Sequence, residues 1–399
     1  MVKNNLLLQV AVLALAAACS NPYLPENDMD DECTSVMMVM PSAEFDDSIA
    51  TKAEVNIGSS IEFVWSESDV VGIFPQTGSQ LYFSMAEGAG KSSALFDGGG
   101  WAMKKTASYY SYFPFYPDFY FDRTAIPMTF EGQEQDGNGD PDHADMGTYN
   151  YMVATGEYDA TSKTMAFNYK RLATLFRFMI PVAAGTYTSL TVSADSKCIA
   201  SSGTFNSIEI DYAINDPVYT DKLTLELNDL VLESEGTLVG WMVLPPFNLL
   251  DKQLTISITD KNGAVTTSSV AGKNYQRTYL YNNVPNFSIY PQTATISGKG
   301  GSATLKITTS KSTTYSVSTD ADWLTLGSTP TTGAATITVT ASENPGTRRE
   351  GHVVVTETVT TSSGTTIDLK NVMTIIQTVN GMNVDMEDWG DGDKIEGEV

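Results

Sequence analysis

Histidine is almost missing: His143 and His352 are the only two in 399 residues. Catalysis by paired imidazoles, or a histidine-rich metal centre, has almost no material here. Cysteine is nearly as scarce. Cys19, Cys33 and Cys198 are too few for a disulfide framework, although Cys33 and Cys198 are free to pair or to stay as thiols. Cations are short as well. Against 48 Asp and Glu stand 23 Lys and Arg, a net charge of −25. Such a chain repels a phosphate backbone, which excludes nucleic acid as a partner, and it gains nothing from an anionic membrane surface. The apolar run Leu6 to Ala18 is shorter than the ~20 residues of a membrane-spanning helix. No segment has the periodicity of an amphipathic helix.

What the chain has is alternation. "SIEFVW", "DVVGIF", "QLYFSM", "TLFRFMI", "SLTVSA", "KLTLEL", "QLTISITD", "ATLKITT" and "ATITVTAS" read as short strands separated by Gly, Asn, Asp, Ser and Pro turns. The fold class is all-β, built of sandwiches. The length calls for two to four domains. Composition shifts near residue 289, from Tyr, Phe and Met to Thr, Ser and Val. A softer break falls at 158–168. These divide the chain into 53–162, 163–288 and 289–380, with an acidic tail at 381–399.

The first residues read as an address. Lys3, the apolar run and three alanines before Cys19 fit a signal peptide over 1–18. Small residues before a cysteine resemble the bacterial lipoprotein box, in which Cys19 would be lipidated and would become the mature N-terminus. The leucine lies one place early, at Leu15, and a plain signal peptide cut near Ala18 is the alternative. The acidic, proline-containing stretch that follows Cys19 reads as a tether. It resembles the export signal of surface lipoproteins in Bacteroides-type bacteria, which implies the outer face of the cell outer membrane and contact with the membrane through the lipid alone.

"SYYSYFPFYPDFYFDR" raises the question of buried sheet or exposed platform. Alternation sends Tyr110 and Tyr112 one way, and Tyr109, Ser111 and Phe113 the other. Both faces are aromatic, so the strand belongs inside the protein until Pro114. Tyr116, Phe119 and Tyr120 lie in a following loop that could show its rings to a glycan.

"FVWSESDVVGIF", then this aromatic strand, then "EGQEQDGNGDPDHADMGTYNYMVA" resemble, in that order, the fimbrillin family of Bacteroidales over roughly residues 35–288. The resemblance implies two tandem transthyretin-like β-sandwiches in a subunit of a fimbria. Assembly would run by β-strand addition with other fimbrial subunits. A protease would cut after a basic residue, an N-terminal strand would leave, and a neighbour's strand would take its place. Lys52, followed by Ala53, is the one cation between Lys3 and Lys91, and the apolar run "TSVMMVMP" ahead of it is the candidate releasable strand. A permanent first strand with an ordinary surface lysine is the alternative.

Residues 315–358 resemble the BACON module through Trp323, Leu324, Asn344, Arg348 and Arg349. That implies a third, immunoglobulin-like sandwich, with Trp323 as a further candidate glycan contact or else a core residue. A domain in this position favours a tip or accessory subunit over a shaft. A free-standing glycan-binding lipoprotein of a polysaccharide-uptake system is the competing reading.

Chemistry finds little support. Asp136, Asn138, Asp140 and Asp142 offer alternating oxygens for calcium, but Pro141 stands where a calcium loop needs glycine and Gly147 where it needs a bidentate Glu. A solvated loop is the plainer reading, so no cofactor is expected beyond calcium there. No serine sits in a nucleophile elbow, and "EGAGKSS" lacks the spacing of a phosphate loop. The expectation is a non-enzymatic protein.

Overall fold

A computed structural model describes residues 32–45, 60–61, 63–119, 122–139, 144–208, 213–309 and 312–380. Every regular element among them is a strand.

Seven strands close the main sheet of the first unit, and Lys170–Arg171 adds a short eighth beside Met152–Val153. The seven are β1 (Ser35–Val39), β2 (Val70–Pro75), β3 (Leu81–Glu87), β4 (Ser93–Asp97), β5 (Tyr109–Phe113), β6 (Met152–Asp159) and β7 (Thr164–Asn168). Hydrogen bonds run β1–β4–β3–β2–β5–β6–β7 and return to β1, so the sheet closes on itself. All pairs are antiparallel except β7 with β1. Closure removes the unpaired edges that an open sheet would carry. The core holds Val36, Met38, Trp65, Ile73, Phe83, Phe96 and Phe167. The break at 158–168 had assigned Thr164–Asn168 to the second sandwich. Met165 and Phe167 instead point into the first core beside β1, and the long strands of the second unit begin at Thr174.

β2 and β5 serve two cores. Tyr109 and Phe113 face the first, while Tyr112 stacks on Phe74 at 5.9 Å in a second, larger one. Gly72 makes this possible, because a Cβ there would lie 2.1 Å from the Tyr112 ring. This is the reason for glycine in "DVVGIF". Gly72→Ala must displace a fully buried ring, and overpacking of this kind costs about 1–3 kcal/mol. Urea unfolding of the variant should show that loss with an unchanged slope.

The second unit is built on β8 (Thr174–Val182), β9 (Gly185–Ser193), β10 (Lys222–Leu232), β11 (Gly236–Leu244), β12 (Gln253–Asp260), β13 (Val265–Ala271) and β14 (Tyr279–Asn283). One sheet runs β11–β8–β14 and continues through Ala43–Phe45 to Ser60–Ile61. The other begins at Gln133–Glu134 and runs β10–β9–β12–β13. It then passes without a break through β15 (Phe287–Tyr290) into β17 (Gly301–Thr309), β20 (Ala335–Ala341) and β19 (Leu324–Leu326) of the C-terminal unit. The composition break at 289 therefore falls inside a strand that is bonded to both units. The facing sheet of the last unit is β16 (Thr293–Ile296), β22 (Thr366–Gln377), β21 (Arg349–Thr360) and β18 (Ser316–Thr319), over a core of Leu305, Ile337, Val353 and Ile375. The all-β expectation of stacked sheets holds.

Candidate functional site

The seat of β1 follows from its alternation. Val36, Met38 and Met40 are buried, while Met37 and Val39 lie on the other face. Each buried side chain contributes about 1.5–3 kcal/mol. β1 is bonded along both edges, from Ser35↔Asp97 to Val39↔Ser93 on one side and from Val36↔Met165 to Val39↔Asn168 on the other. Side chains hold it too. The Trp65 indole N–H donates to the Met38 carbonyl at 3.2 Å, and the Tyr169 hydroxyl meets the Met38 sulfur at 3.6 Å. The Met40 and Tyr169 N–H groups extend the ladder to Ser92 and Val39.

Arg171 closes the end of the seat. Its guanidinium is wholly buried, stacks on Phe63 at 4.3 Å, and donates to Asn150 Oδ1 and to the Pro41 carbonyl. Burial pushes its pKa down to about 9, so it is still cationic at neutral pH. Beyond Pro41 the chain leaves the first unit, and Ala43–Phe45 pairs with β14 of the second. A cut after Lys52 would thus free β1 and Ala43–Phe45 together. Lys52, Ala53 and Cys19 lie outside the described residues.

The loop after β5 does something that alternation does not reveal. Among the described residues the edge strand β11 has no backbone strand on its outer side. Three side-chain amides take that place. Gln133 receives the Val243 N–H and donates to the Val243 carbonyl, both at 2.7 Å. Gln135 receives the Trp241 N–H at 2.9 Å and donates to the Val239 carbonyl at 2.7 Å. Asn138 receives the Val239 N–H at 2.7 Å and donates to the Thr237 carbonyl at 3.1 Å. The backbone of Gln133–Glu134 meanwhile pairs with β10 of the opposite sheet. One loop of the first unit therefore ties together both sheets of the second.

This geometry engages the oxygens considered for calcium. Asn138 is committed to β11, and Asp136 accepts from the Asn228 amide at 2.6 Å. Asp140 and Asp142 lie outside the described residues. Among the described residues no cluster of three His, Cys, Asp or Glu side chains could hold a metal ion. Cys33 and Cys198 are free thiols.

The candidate glycan rings are largely covered. Tyr116 is half-buried, its hydroxyl donating to that of Tyr151 at 3.3 Å, and Phe119 packs against the same core. Burial raises the pKa of Tyr116. Tyr120 lies outside the described residues. Trp323 is half-buried with the Arg349 guanidinium 4.3 Å over its ring. Arg349 also braces Gln377 and the Ser342 carbonyl, and the buried Asn344 amide donates to the Thr347 and Thr378 carbonyls. The Trp, Asn and Arg of the BACON-like pattern therefore hold turns together, while Arg348 pairs with Glu350 on the surface. His352 bonds Asp320 at 2.7 Å, half-exposed, and among the described residues no nucleophile is bonded to it.

Several solved structures are similar to this chain. One is a protein assigned to cell adhesion from Bacteroides ovatus, 12% identical, matched over 63% of this chain and 92% of that one at a TM-score of 0.40. Another is the tip fimbrial protein Mfa3 from Porphyromonas gingivalis, 10% identical over 63% and 92% at 0.27. A fimbrial protein from Bacteroides ovatus is 10% identical over 64% of this chain, at 0.30, and the match spans about half, 48%, of that chain. A search of curated proteins returned no match. Residues 286–373, from the shared strand β15 almost to the end of β22, match the family model described as the viral BACON domain.

Proposed function

We propose that the chain is a non-enzymatic surface protein made as a lipoprotein precursor anchored to the outer membrane through Cys19, and that the cut after Lys52 releases it from that anchor to become a component of an adhesive fimbria assembled by β-strand addition. The seat of β1 carries this reading. β1 is a short apolar strand, bonded along both edges, whose covalent link to the rest of the fold runs through Lys52. Removing it would open a groove with two unpaired ladders and pockets for alternate side chains, which is the chemistry that recognises an incoming strand. The similarity to fimbrial and adhesion proteins supports the surface role.

Its place in the fibre is that of a tip or accessory subunit. The last strand among the described residues, β22, is paired on both sides, with β16 and β21, so none of the described strands at this end is free to donate. Beyond it, Met382, Val384 and Met386 repeat the spacing of Val36, Met38 and Met40, in a segment outside the described residues. If that segment donates, the same chain builds a shaft.

The test is the mature N-terminus of protein from native outer membranes, run on a gel without boiling. A start at Ala53 with the chain held in a heat-sensitive complex is expected. A ladder formed by this chain alone would move it from tip to shaft. A lipidated Cys19 on a single monomer band would sink strand exchange and leave a free-standing surface lipoprotein.

A further inference from the structure

A polar cleft lies where the second and C-terminal units meet. The ribbon of Phe247–Asn248 with Asn274–Tyr275 and the start of β14 border two adjoining shallow, open hollows of about 530 and 410 Å3. Asn274, Gln276 and Tyr279 line both. Asn248 and Arg277 border one, and Lys273, with Ser362 and Ser363 from the turn between β21 and β22, borders the other. The volumes are those of small-ligand sites.

The local sequence sets what faces the cleft. Along 274–276 the alternation sends Tyr275 into the core and leaves Asn274 and Gln276 exposed. Neither of these side-chain amides has a hydrogen-bond partner among the described residues. Tyr279 is 37% exposed and ends an aromatic column, with Tyr281 at 6.2 Å, Tyr275 at 4.9 Å from Tyr281, and Phe176 at 4.8 Å from Tyr275. The column fixes the ring from behind.

One strained position and one tie between units hold the walls. Thr278, a β-branched residue, sits at φ 71° immediately before Tyr279, with its N–H bonded to the Ala173 carbonyl at 3.0 Å. Such a backbone persists only where the surroundings impose it, and it collects at ligand sites. Asp251, at φ 61°, accepts from the Thr361 and Ser363 hydroxyls at 2.5 and 2.6 Å. That bond pair ties the turn of one unit to the ribbon of the other.

We propose that this cleft binds an oligosaccharide, with Tyr279 as the stacking platform and Asn274, Gln276, Asn248 and Ser362 as partners of its hydroxyls. A pyranose ring has an apolar C–H face rimmed by groups that both give and accept hydrogen bonds. A half-exposed tyrosine matches the face, and amides and hydroxyls match the rim in both directions. The inference rests on the adhesive half of the proposed function and is independent of strand exchange.

The experiment is calorimetric titration of the purified full chain with neutral hexasaccharides of β-1,4-glucose, β-1,4-mannose, α-1,4-glucose and α-1,6-mannose. At least one should bind. Tyr279→Ala should weaken it about tenfold and Gln276→Ala severalfold, both with an unchanged melting temperature, while Trp323→Ala leaves binding intact. Binding of none of the four overturns the proposal, as does binding that survives both cleft substitutions. A chain that is cut at Lys52 and joins a fibre, yet binds no hexasaccharide, removes the cleft and leaves assembly standing. An uncut monomer that binds through Tyr279 does the reverse.

Discussion

Gln133→Leu should lower the unfolding free energy by about 2–5 kcal/mol, although leucine is apolar and of similar size. Gln133 and Val243 are both buried, and the amide is the partner of the Val243 N–H and carbonyl on the outer edge of β11. Leucine leaves both groups dry and unpaired, at roughly 1–3 kcal/mol each. The Phe130 carbonyl loses a bond as well. Gln133→Glu is the informative control. It keeps the acceptor for Val243 N–H but turns an oxygen toward the Val243 and Phe130 carbonyls, so it should be at least as damaging at neutral pH. Guanidinium unfolding would read both. A loss under ~1 kcal/mol for leucine would mean that the amide ladder adds nothing beyond solvation.

Met38→Ala carries the second large effect, and its sign of interest lies in when the effect appears. In the uncut chain Met38 is fully buried between Trp65 and Tyr169, and truncation to alanine should cost about 2–5 kcal/mol. If residues 1–52 leave on assembly, the assembled subunit no longer contains position 38. Its resistance to heat should then match that of the parent. Melting of the purified uncut chain, and of fibres from native membranes, would separate the two states. Equal destabilisation in both would show that β1 stays in place and that the chain does not exchange strands.

The parts of this molecule that alternation governs were legible from the sequence. The apolar run 36–40 announces a strand, without saying which face is buried, and Tyr109 to Phe113 a strand with two buried faces. The Gly72 motif was legible as a pattern, though its cause, the Tyr112 ring, lies 40 residues away in the chain. What stayed hidden depends on partners distant in sequence. Thr164–Asn168 looks like the opening of a new domain until β1, about 130 residues upstream, is seen beside it. Gln133, Gln135 and Asn138 look like loop polarity, because pairing of a side chain with backbone about 100 residues away has no local period. Trp323 reads equally as a glycan contact or a core residue until Arg349 is placed on its face. Tyr279 drew no notice, since its exposure is set by the Thr278 backbone and by a turn from another unit.

The shared strand β15 has a mechanical consequence. It is bonded to β13 through Thr267↔Ile289 and Ser268↔Ser288, and to β17 through four further residue pairs, so no hinge separates the last two units. A pull on the C-terminal unit is carried as shear along the sheet, where several bonds must slip together, and its torque passes to the second unit undamped. Under load the two units would swing together as one stiff lever.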